Sequence, residues 1–110
     1  MKFMALYMAP AASIAELMQG TEQDMKDGMA AWNAWSDKNK KAIADMGAPL
    51  GKTRTVSAKG VSDTKNEVTG FSVVEADSHD AAAKIFARHP HLQIKGATID
   101  IMNYVNLPGM

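Results

Sequence analysis

The 110-residue sequence contains no cysteine. Disulfide bonds, thiolate nucleophiles and cysteine-ligated metal centres are therefore excluded. Neither charge is in excess, because 12 lysines and arginines balance 12 aspartates and glutamates. Nucleic acids and anionic membrane surfaces attract basic proteins, so neither is an expected partner. No segment approaches the roughly 20 apolar residues of a transmembrane helix.

The first fifteen residues are similar to a secretory signal, with a lysine, a short apolar run and an alanine-rich stretch. The apolar run, Phe3 to Met8, is short for such a signal. Its residues alternate between two faces that are both apolar, which is typical of a strand covered on both sides. We therefore interpret Lys2 to Ala9 as the first strand of a cytoplasmic protein with a single domain, residues 1–110.

Helical spacing follows this strand in two places. A short helix around Ile14 to Met18 is predicted to end at Gly20. A longer helix begins at Thr21, which with Asp24 resembles a capping box. Its apolar stripe is predicted to continue as far as Gly47. The members of this stripe are Met25, Met29, Trp32, Ser36, Ile43 and Met46.

The second half of the sequence predicts three strands and one helix. Thr53 to Ala58 is polar and β-branched, as in an edge strand. The segment from Gly60 to Gly70 has no apolar period and is predicted to be a turn or hairpin loop. Phe71 to Ala76 is the next strand, and Ala97 to Val105 is the last.

The helix between these two strands is predicted to begin after Ser78, a residue type that caps helices. It is predicted to end at Pro90, because proline disfavours helical dihedral angles at the preceding residue. Its buried stripe comprises Ala82, Ile85, Phe86 and His89.

The predicted order is strand, helix, strand, strand, helix, strand. This is the split βαβ order of an α+β ferredoxin-like fold, with an antiparallel sheet and both helices on one face. The helix-free face would be apolar as well. Because soluble monomers rarely expose a large apolar patch, we expect a homodimer that buries this face.

Two histidines flank Pro90. His89 continues the buried stripe of a helix, so it is either a helix-terminal residue bonded to a nearby carbonyl or carboxylate, or an acid, base or hydrogen-bond donor in a ligand cleft. His91 follows the proline, so its side chain is expected to project in a different direction from that of His89. A metal site would need a third ligand, from Asp100 or His79, and nothing in the spacing requires one, so we expect no metal.

Ser36 is the polar member of the long helix's stripe. It either caps a second helical segment beginning at "SDKN" or lines a pocket with Trp35, opposite His89. Tyr7 and Trp32 are candidate ring contacts for a small ligand and are equally ordinary core residues.

The second half of the chain resembles the YCII-related domain family, in particular its branch with an Asp-Gly-Pro-Phe motif. Gly60-Val61-Ser62 stands where that motif is expected. The matching residues are Asp63, Lys65, Glu67, Gly70, Phe71, Ala81 to Ala83, Pro90 and Ile99 to Ile101. The resemblance implies a dimeric α+β barrel. Some members act as small lyases, with a histidine in the long helix and an aspartate before the proline. In this chain the position of that histidine falls at Trp35 or Ser36, and the position of that aspartate falls at His89.

We therefore predict a small, aromatic ligand between the long helix and the sheet. His89 and Ser36 are the catalytic candidates, and the ligand contacts are His91, Trp35, Trp32 and Tyr7. Any catalysis would be proton transfer or elimination without a cofactor, since no phosphate loop, cysteine set or acidic cluster is present. The alternatives are a non-catalytic binding or regulatory domain and, by analogy of fold alone, a cofactor-free or haem-linked monooxygenase.

Overall fold

The computed structural model describes residues 1–109. Met110, the last residue of the predicted single domain, lies outside the described residues. In chain order the elements are β1 (Lys2–Met8), α1 (Ala11–Leu17), α2 (Glu22–Lys38), β2 (Ile43–Pro49), β3 (Thr53–Ser57), β4 (Gly60–Thr64), β5 (Val68–Glu75), α3 (His79–Ile85), a 3-10 turn (Pro90–Gln93) and β6 (Thr98–Asn103).

Four strands form one antiparallel sheet in the order β2-β5-β1-β6. The central strand β1 pairs with β5 on one side and with β6 on the other. Because β5 lies between β1 and β2, the βαβ unit is split. The predicted α+β ferredoxin-like fold is therefore confirmed.

The core lies between the sheet and the helices. Alternate residues of β1 point toward the helices and are almost fully buried: Phe3, Ala5 and Tyr7. Trp35 of α2 and Ala82 of α3 cover them. The intervening residues of β1 are half-buried and point to the other face, beside Phe71 and Val73 of β5: Met4, Leu6 and Met8. Both faces of the central strand are thus apolar, as the sequence predicted.

The long helix is shorter than predicted. It ends at Lys38 instead of Gly47, and the residues from Ile43 onward form the edge strand β2. Asn39 closes the helix, because its side-chain amide donates to the Trp35 carbonyl at 2.9 Å and its backbone leaves helical geometry. The helical spacing predicted for β2 was wrong because the apolar positions of this strand match a helical period by chance. Pairing with β5, whose residues lie about 20 to 30 positions further along the chain, determines its conformation.

A separate hairpin replaces the predicted second strand of the sheet. β3 pairs with β4 and not with the main sheet, and β4 lies inside the segment predicted as a loop. The strand predicted at Thr53 to Ala58 is thus present as β3, but its predicted place in the sheet and the loop predicted over β4 were wrong. The hairpin has no continuous apolar face to bury against the sheet. Polar cross-strand contacts join its strands, including the hydroxyls of Thr55 and Thr64 at 2.6 Å and the ion pair of Arg54 and Asp63 at 3.1 Å.

The helices α2 and α3 begin at the capping residues that the sequence predicted. The Thr21 hydroxyl accepts from the Asp24 backbone N–H, and the Asp24 carboxylate accepts in return from the Thr21 backbone N–H, so the predicted capping box is confirmed. Ser78 caps α3 by accepting from the backbone N–H of Ala81 at 3.0 Å. Met25, predicted to belong to a buried stripe, is instead 50% exposed.

The end of α3 differs from the prediction. The helix ends at Ile85, five residues before Pro90, and His89 is extended with φ −64° and ψ 138°. Proline disfavours the helical region for His89, the residue before it. Between α3 and Pro90 the chain forms turns, in which the N–H groups of residues 86, 87 and 89 donate to carbonyls three residues back. Pro90 then begins the 3-10 turn, a position where its missing N–H costs nothing. His89 is therefore not a helix-terminal residue, although its ring is buried as predicted.

Within residues 1–109, no helix combines the length and the apolar composition needed to cross a bilayer.

Candidate functional site

The ring of His89 is held in one orientation by the 3-10 turn that follows it. His89 is the N-cap of this turn, and its Nδ1 accepts a hydrogen bond from the backbone N–H of His91 at 2.9 Å. This is the capping arrangement usually made by serine or aspartate, here made by an imidazole. The turn therefore fixes the ring, and only 1% of the residue is exposed.

Aromatic rings from three elements surround His89. The centroids of Trp32 and Trp35, on α2, lie 4.2 Å and 4.4 Å from the imidazole. Tyr7 of β1 lies at 4.9 Å, and Phe86, just after α3, lies at 6.0 Å. We call these four rings the aromatic cage. The cage occupies the space between α2 and the sheet, where the sequence predicted a ligand, and it brings together four of the six predicted site residues.

The protonation of His89 follows from its hydrogen bonds. Because a backbone N–H donates to Nδ1, that nitrogen carries no proton, and the neutral ring carries its proton on Nε2. Nε2 is buried and has no hydrogen-bond partner among residues 1–109. Burial, together with a smaller contribution from the nearby His91, lowers the pKa of His89 to about 4. At neutral pH His89 is thus an uncharged donor that has no acceptor in the described part of the chain.

His91 joins the 3-10 turn to the end of β1. Its Nε2 donates to the Met8 carbonyl at 2.8 Å, and its ring is buried 5.3 Å from that of Tyr7. The two histidine centroids are 6.5 Å apart. His91 therefore braces the segment that positions His89.

Tyr7 ends a chain of hydrogen bonds that crosses the sheet. The Ser72 hydroxyl donates to the Met46 carbonyl at 2.8 Å, so the Tyr7 hydroxyl, also 2.8 Å from Ser72 Oγ, is the donor to Ser72. Burial raises the pKa of Tyr7, and the bond to Ser72 partly offsets this. The sequence analysis missed Ser72. Its signal was a lone hydroxyl in the apolar strand "FSVV", at the position next to Val74 on the helix-facing side.

Ser36 lies outside the aromatic cage. Its hydroxyl donates to the sulfur of Met46 at 3.3 Å and borders a shallow surface depression with Asp37, Lys40 and Ile43. Since α2 is continuous through Ser36, the alternative that this residue caps a second helical segment is wrong. Its predicted role in a ligand site stays a prediction.

The two residues named as possible third metal ligands do not join the histidines. His79 Nε2 donates to the Ile101 carbonyl at 2.7 Å. Asp100 pairs with Leu6 in β1, so its side chain points to the face of the sheet opposite Tyr7. Among the residues that the structure describes, no three histidines, aspartates or glutamates form a group that could hold a metal ion.

The fold is similar to that of a solved enzyme. The chain matches 5-chloro-2-hydroxyhydroquinone dehydrochlorinase from Burkholderia phenoliruptrix AC1100, whose structure was solved in complex with 2,5-dihydroxybenzoquinone. The match covers 91% of each chain, with 20% sequence identity and a TM-score of 0.52. At this identity the likeness shows the ferredoxin-like fold alone. No protein-family model matches the sequence. No curated protein matches it either.

An open groove runs along the outer side of the aromatic cage, between α2 and the segment from α3 to the 3-10 turn. Trp35, Ile85 and Pro90 line it, together with the polar side chains of Asn39 and Gln93. The indole N–H of Trp35 donates to the Ile85 carbonyl at 2.9 Å, which fixes the indole in this wall. Trp35 thus contacts His89 on one side and the groove on the other.

Proposed function

We propose that this protein is a YCII-related domain that binds a small, planar molecule bearing oxygen atoms, in the aromatic cage between α2 and the sheet. The observation that carries the proposal is the buried Nε2–H of His89, which has no acceptor among residues 1–109. Leaving a buried donor unpaired costs roughly 1–3 kcal/mol, so an acceptor supplied by a ligand would recover that energy.

The surroundings of Nε2 define the class of ligand. A donor selects a carbonyl, phenolate or quinone oxygen, and the rings of Trp32, Trp35 and Tyr7 favour a flat aromatic body through stacked or edge-to-face contacts. The solved dehydrochlorinase of the same fold holds 2,5-dihydroxybenzoquinone. A ligand of that kind has both features.

His89 is proposed to act as a hydrogen-bond donor and not as a base. Its unprotonated nitrogen, Nδ1, already accepts a hydrogen bond from the backbone N–H of His91, and its low pKa makes the imidazole a weak base. A general base needs a free lone pair and a pKa near the working pH. Binding is therefore supported better than elimination or proton transfer.

Access to the cage requires one ring to move. His89 is buried on all sides, and Trp32 is the only half-buried ring of the four in the cage. We propose that Trp32 rotates outward to admit the ligand, while Trp35 stays bonded to the Ile85 carbonyl.

Binding of 2,5-dihydroxybenzoquinone, followed by calorimetry, tests the proposal. His89→Phe keeps an aromatic ring but removes the donor, so we expect its affinity to fall at least about tenfold, as for the loss of one buried hydrogen bond. His79→Phe is the matched control, since His79 donates to Ile101 outside the cage. Equal affinity of the wild type and His89→Phe, or no binding by the wild type, would reject this role.

We also propose that the protein is a homodimer, as the dimeric barrel of the YCII-related family implies. Support comes from the apolar face of the sheet that points away from the helices. On this helix-free face, β6 presents Asp100 beside Leu6, whereas β1 and β5 present only apolar side chains, which are half-buried or buried in the single chain: Met4, Leu6, Met8, Phe71 and Val73. Apolar side chains on a sheet face that no helix covers usually mark an interface, and a two-fold axis lets the face of one copy cover the same face of a second copy.

Sedimentation of the wild type and of Leu6→Asp tests the dimer. The wild type is expected to sediment as a dimer at micromolar concentration and Leu6→Asp as a monomer, because the variant places a charge in the interface. Asn33→Asp, on the exposed side of α2, adds the same charge elsewhere and should leave the dimer intact. A monomeric wild type at 100 µM would contradict the proposal.

A further inference from the structure

The hairpin of β3 and β4, residues Thr53–Thr64, extends away from the rest of the chain. Within residues 1–109, these strands pair with each other and with no other strand, and nearly every residue in them is exposed. Val56 and Val61 are direct cross-strand partners, yet they are 77% and 55% exposed. We call this segment the hairpin arm.

The two faces of the hairpin arm differ. One face carries hydroxyls, including those of Thr55 and Ser62. The other carries the two valines and, next to them, the ion pair of Arg54 and Asp63. An isolated two-stranded hairpin is marginally stable in water, and it gains stability when an apolar face packs against another element. The valine face is therefore the one suited to a contact.

The shape of the chain also indicates a missing contact. The radius of gyration is 15.7 Å, whereas a compact domain of this length has about 13 Å. The smallest dimension is only 19 Å, against 50 Å and 43 Å for the other two. The chain is thus a thin plate with an arm, and little of it packs against the arm.

We propose that the valine face of the hairpin arm packs against a second copy of this chain and enlarges the dimer interface. This inference rests on the proposed homodimer. The sheet face alone offers little apolar surface, because its five apolar residues are already half-buried or buried in the single chain. Stable interfaces bury about 800 Å² per partner, so a further surface must contribute.

Two features favour a second copy as the occupant. The arm joins β2 to β5 in the chain, and these are two neighbouring strands of the sheet whose helix-free face the dimer would bury. Its valine face is also electrically neutral, since Arg54 and Asp63 compensate each other. In a two-fold interface each surface meets its own copy, and a neutral face avoids the repulsion between like charges that a charged one would create.

Sedimentation equilibrium of Val56→Asp and Ser62→Asp tests the inference. The two variants add the same charge to the same arm, on opposite faces. Each dimer contains two arms, and burial of a valine is worth at least about 1.5 kcal/mol, so the Kd of Val56→Asp should rise about 100-fold or more. Ser62→Asp should change the Kd by less than about threefold.

Hydrogen exchange of the wild type gives a second test that needs no variant. The amides of β3 and β4 should be protected at concentrations far above the dimer Kd and should exchange faster far below it. Equal Kd values for Val56→Asp and Ser62→Asp, with exchange in the arm independent of concentration, would overturn the inference and leave the dimer standing. A monomeric wild type would overturn both.

Discussion

Acidification should destabilise this protein through His89, and the expected magnitude follows from the two pKa values involved. An unfolded histidine has a pKa of 6.5, whereas burial lowers that of His89 to about 4. Because the folded state binds the proton more weakly, the contribution of neutral His89 to stability is complete above pH 6.5 and is lost as pH falls toward 4. The difference between the two pKa values corresponds to about 3 kcal/mol in the free energy of unfolding, and about 2 kcal/mol of this is lost by pH 5.

The cause of this effect lies in the contacts of the ring. The titratable groups next to His89 are Tyr7 of β1 and His91 of the 3-10 turn, while α2 presents only the indoles of Trp32 and Trp35. No carboxylate is among these neighbours, so nothing in the cage stabilises an imidazolium. Protonation would also place a second proton on Nδ1, opposite the His91 N–H that now donates to it.

Urea denaturation at pH 7.5 and pH 5, at one fixed protein concentration, measures the effect. His89→Asn is the reference variant, because an asparagine oxygen can accept from the His91 N–H at an N-cap and does not titrate. The wild type should lose about 2 kcal/mol more than His89→Asn between these two pH values. The variant keeps His79 and His91, so their contributions cancel. An equal loss in both proteins would refute the inference that the fold holds His89 neutral.

Three further variants test other contacts. Gly47→Ala should destabilise the protein by more than about 3 kcal/mol in thermal or urea unfolding, because at φ +71° the new Cβ would lie 1.8 Å from a carbonyl oxygen of β5. Gly28→Ala lies in open space on α2 and should instead stabilise the protein by about 0.5–1 kcal/mol. Ser72→Ala should lower the free energy of unfolding by about 2 kcal/mol and Tyr7→Phe by about 1 kcal/mol, because only Ser72→Ala leaves a buried hydroxyl, that of Tyr7, without an acceptor. A larger loss for Tyr7→Phe would contradict the assigned directions of these hydrogen bonds. Ser36→Ala tests the predicted catalytic role of that serine: ligand binding and any turnover equal to those of the wild type would remove it from the site.

Local signals predicted the starts of elements better than their ends. The caps at Thr21 and Ser78 were predicted because each depends on a side chain and a backbone N–H three residues apart. The end of α2 was not predicted, because Ile43 and Met46 continue its apolar period although they lie in a strand. Only the hydrogen bonds of β2 to β5 distinguish a strand from a helix there, and the bonded residues are about 20 to 30 positions apart in the chain.

The candidate site divides in the same way. His89 and three rings of the cage, Tyr7, Trp32 and Trp35, were named as site candidates from the sequence, whereas Phe86 was assigned only to a buried helix stripe. The sequence did not predict the distances between these residues, the bond of Tyr7 to Ser72 or the absence of Ser36 from the cage. Each of these depends on how α2 lies across the sheet.

The sequence by itself determined that the protein has no thiol chemistry, that its first strand is apolar on both faces and that its order of elements is that of a split βαβ unit. These properties follow from residue types and from periods within a few neighbours. Only the tertiary structure decided that β2 replaces the end of a helix, that β3 and β4 form a separate arm, and that His89 is a buried donor. Each of these depends on contacts between distant segments, whose energies no local pattern encodes.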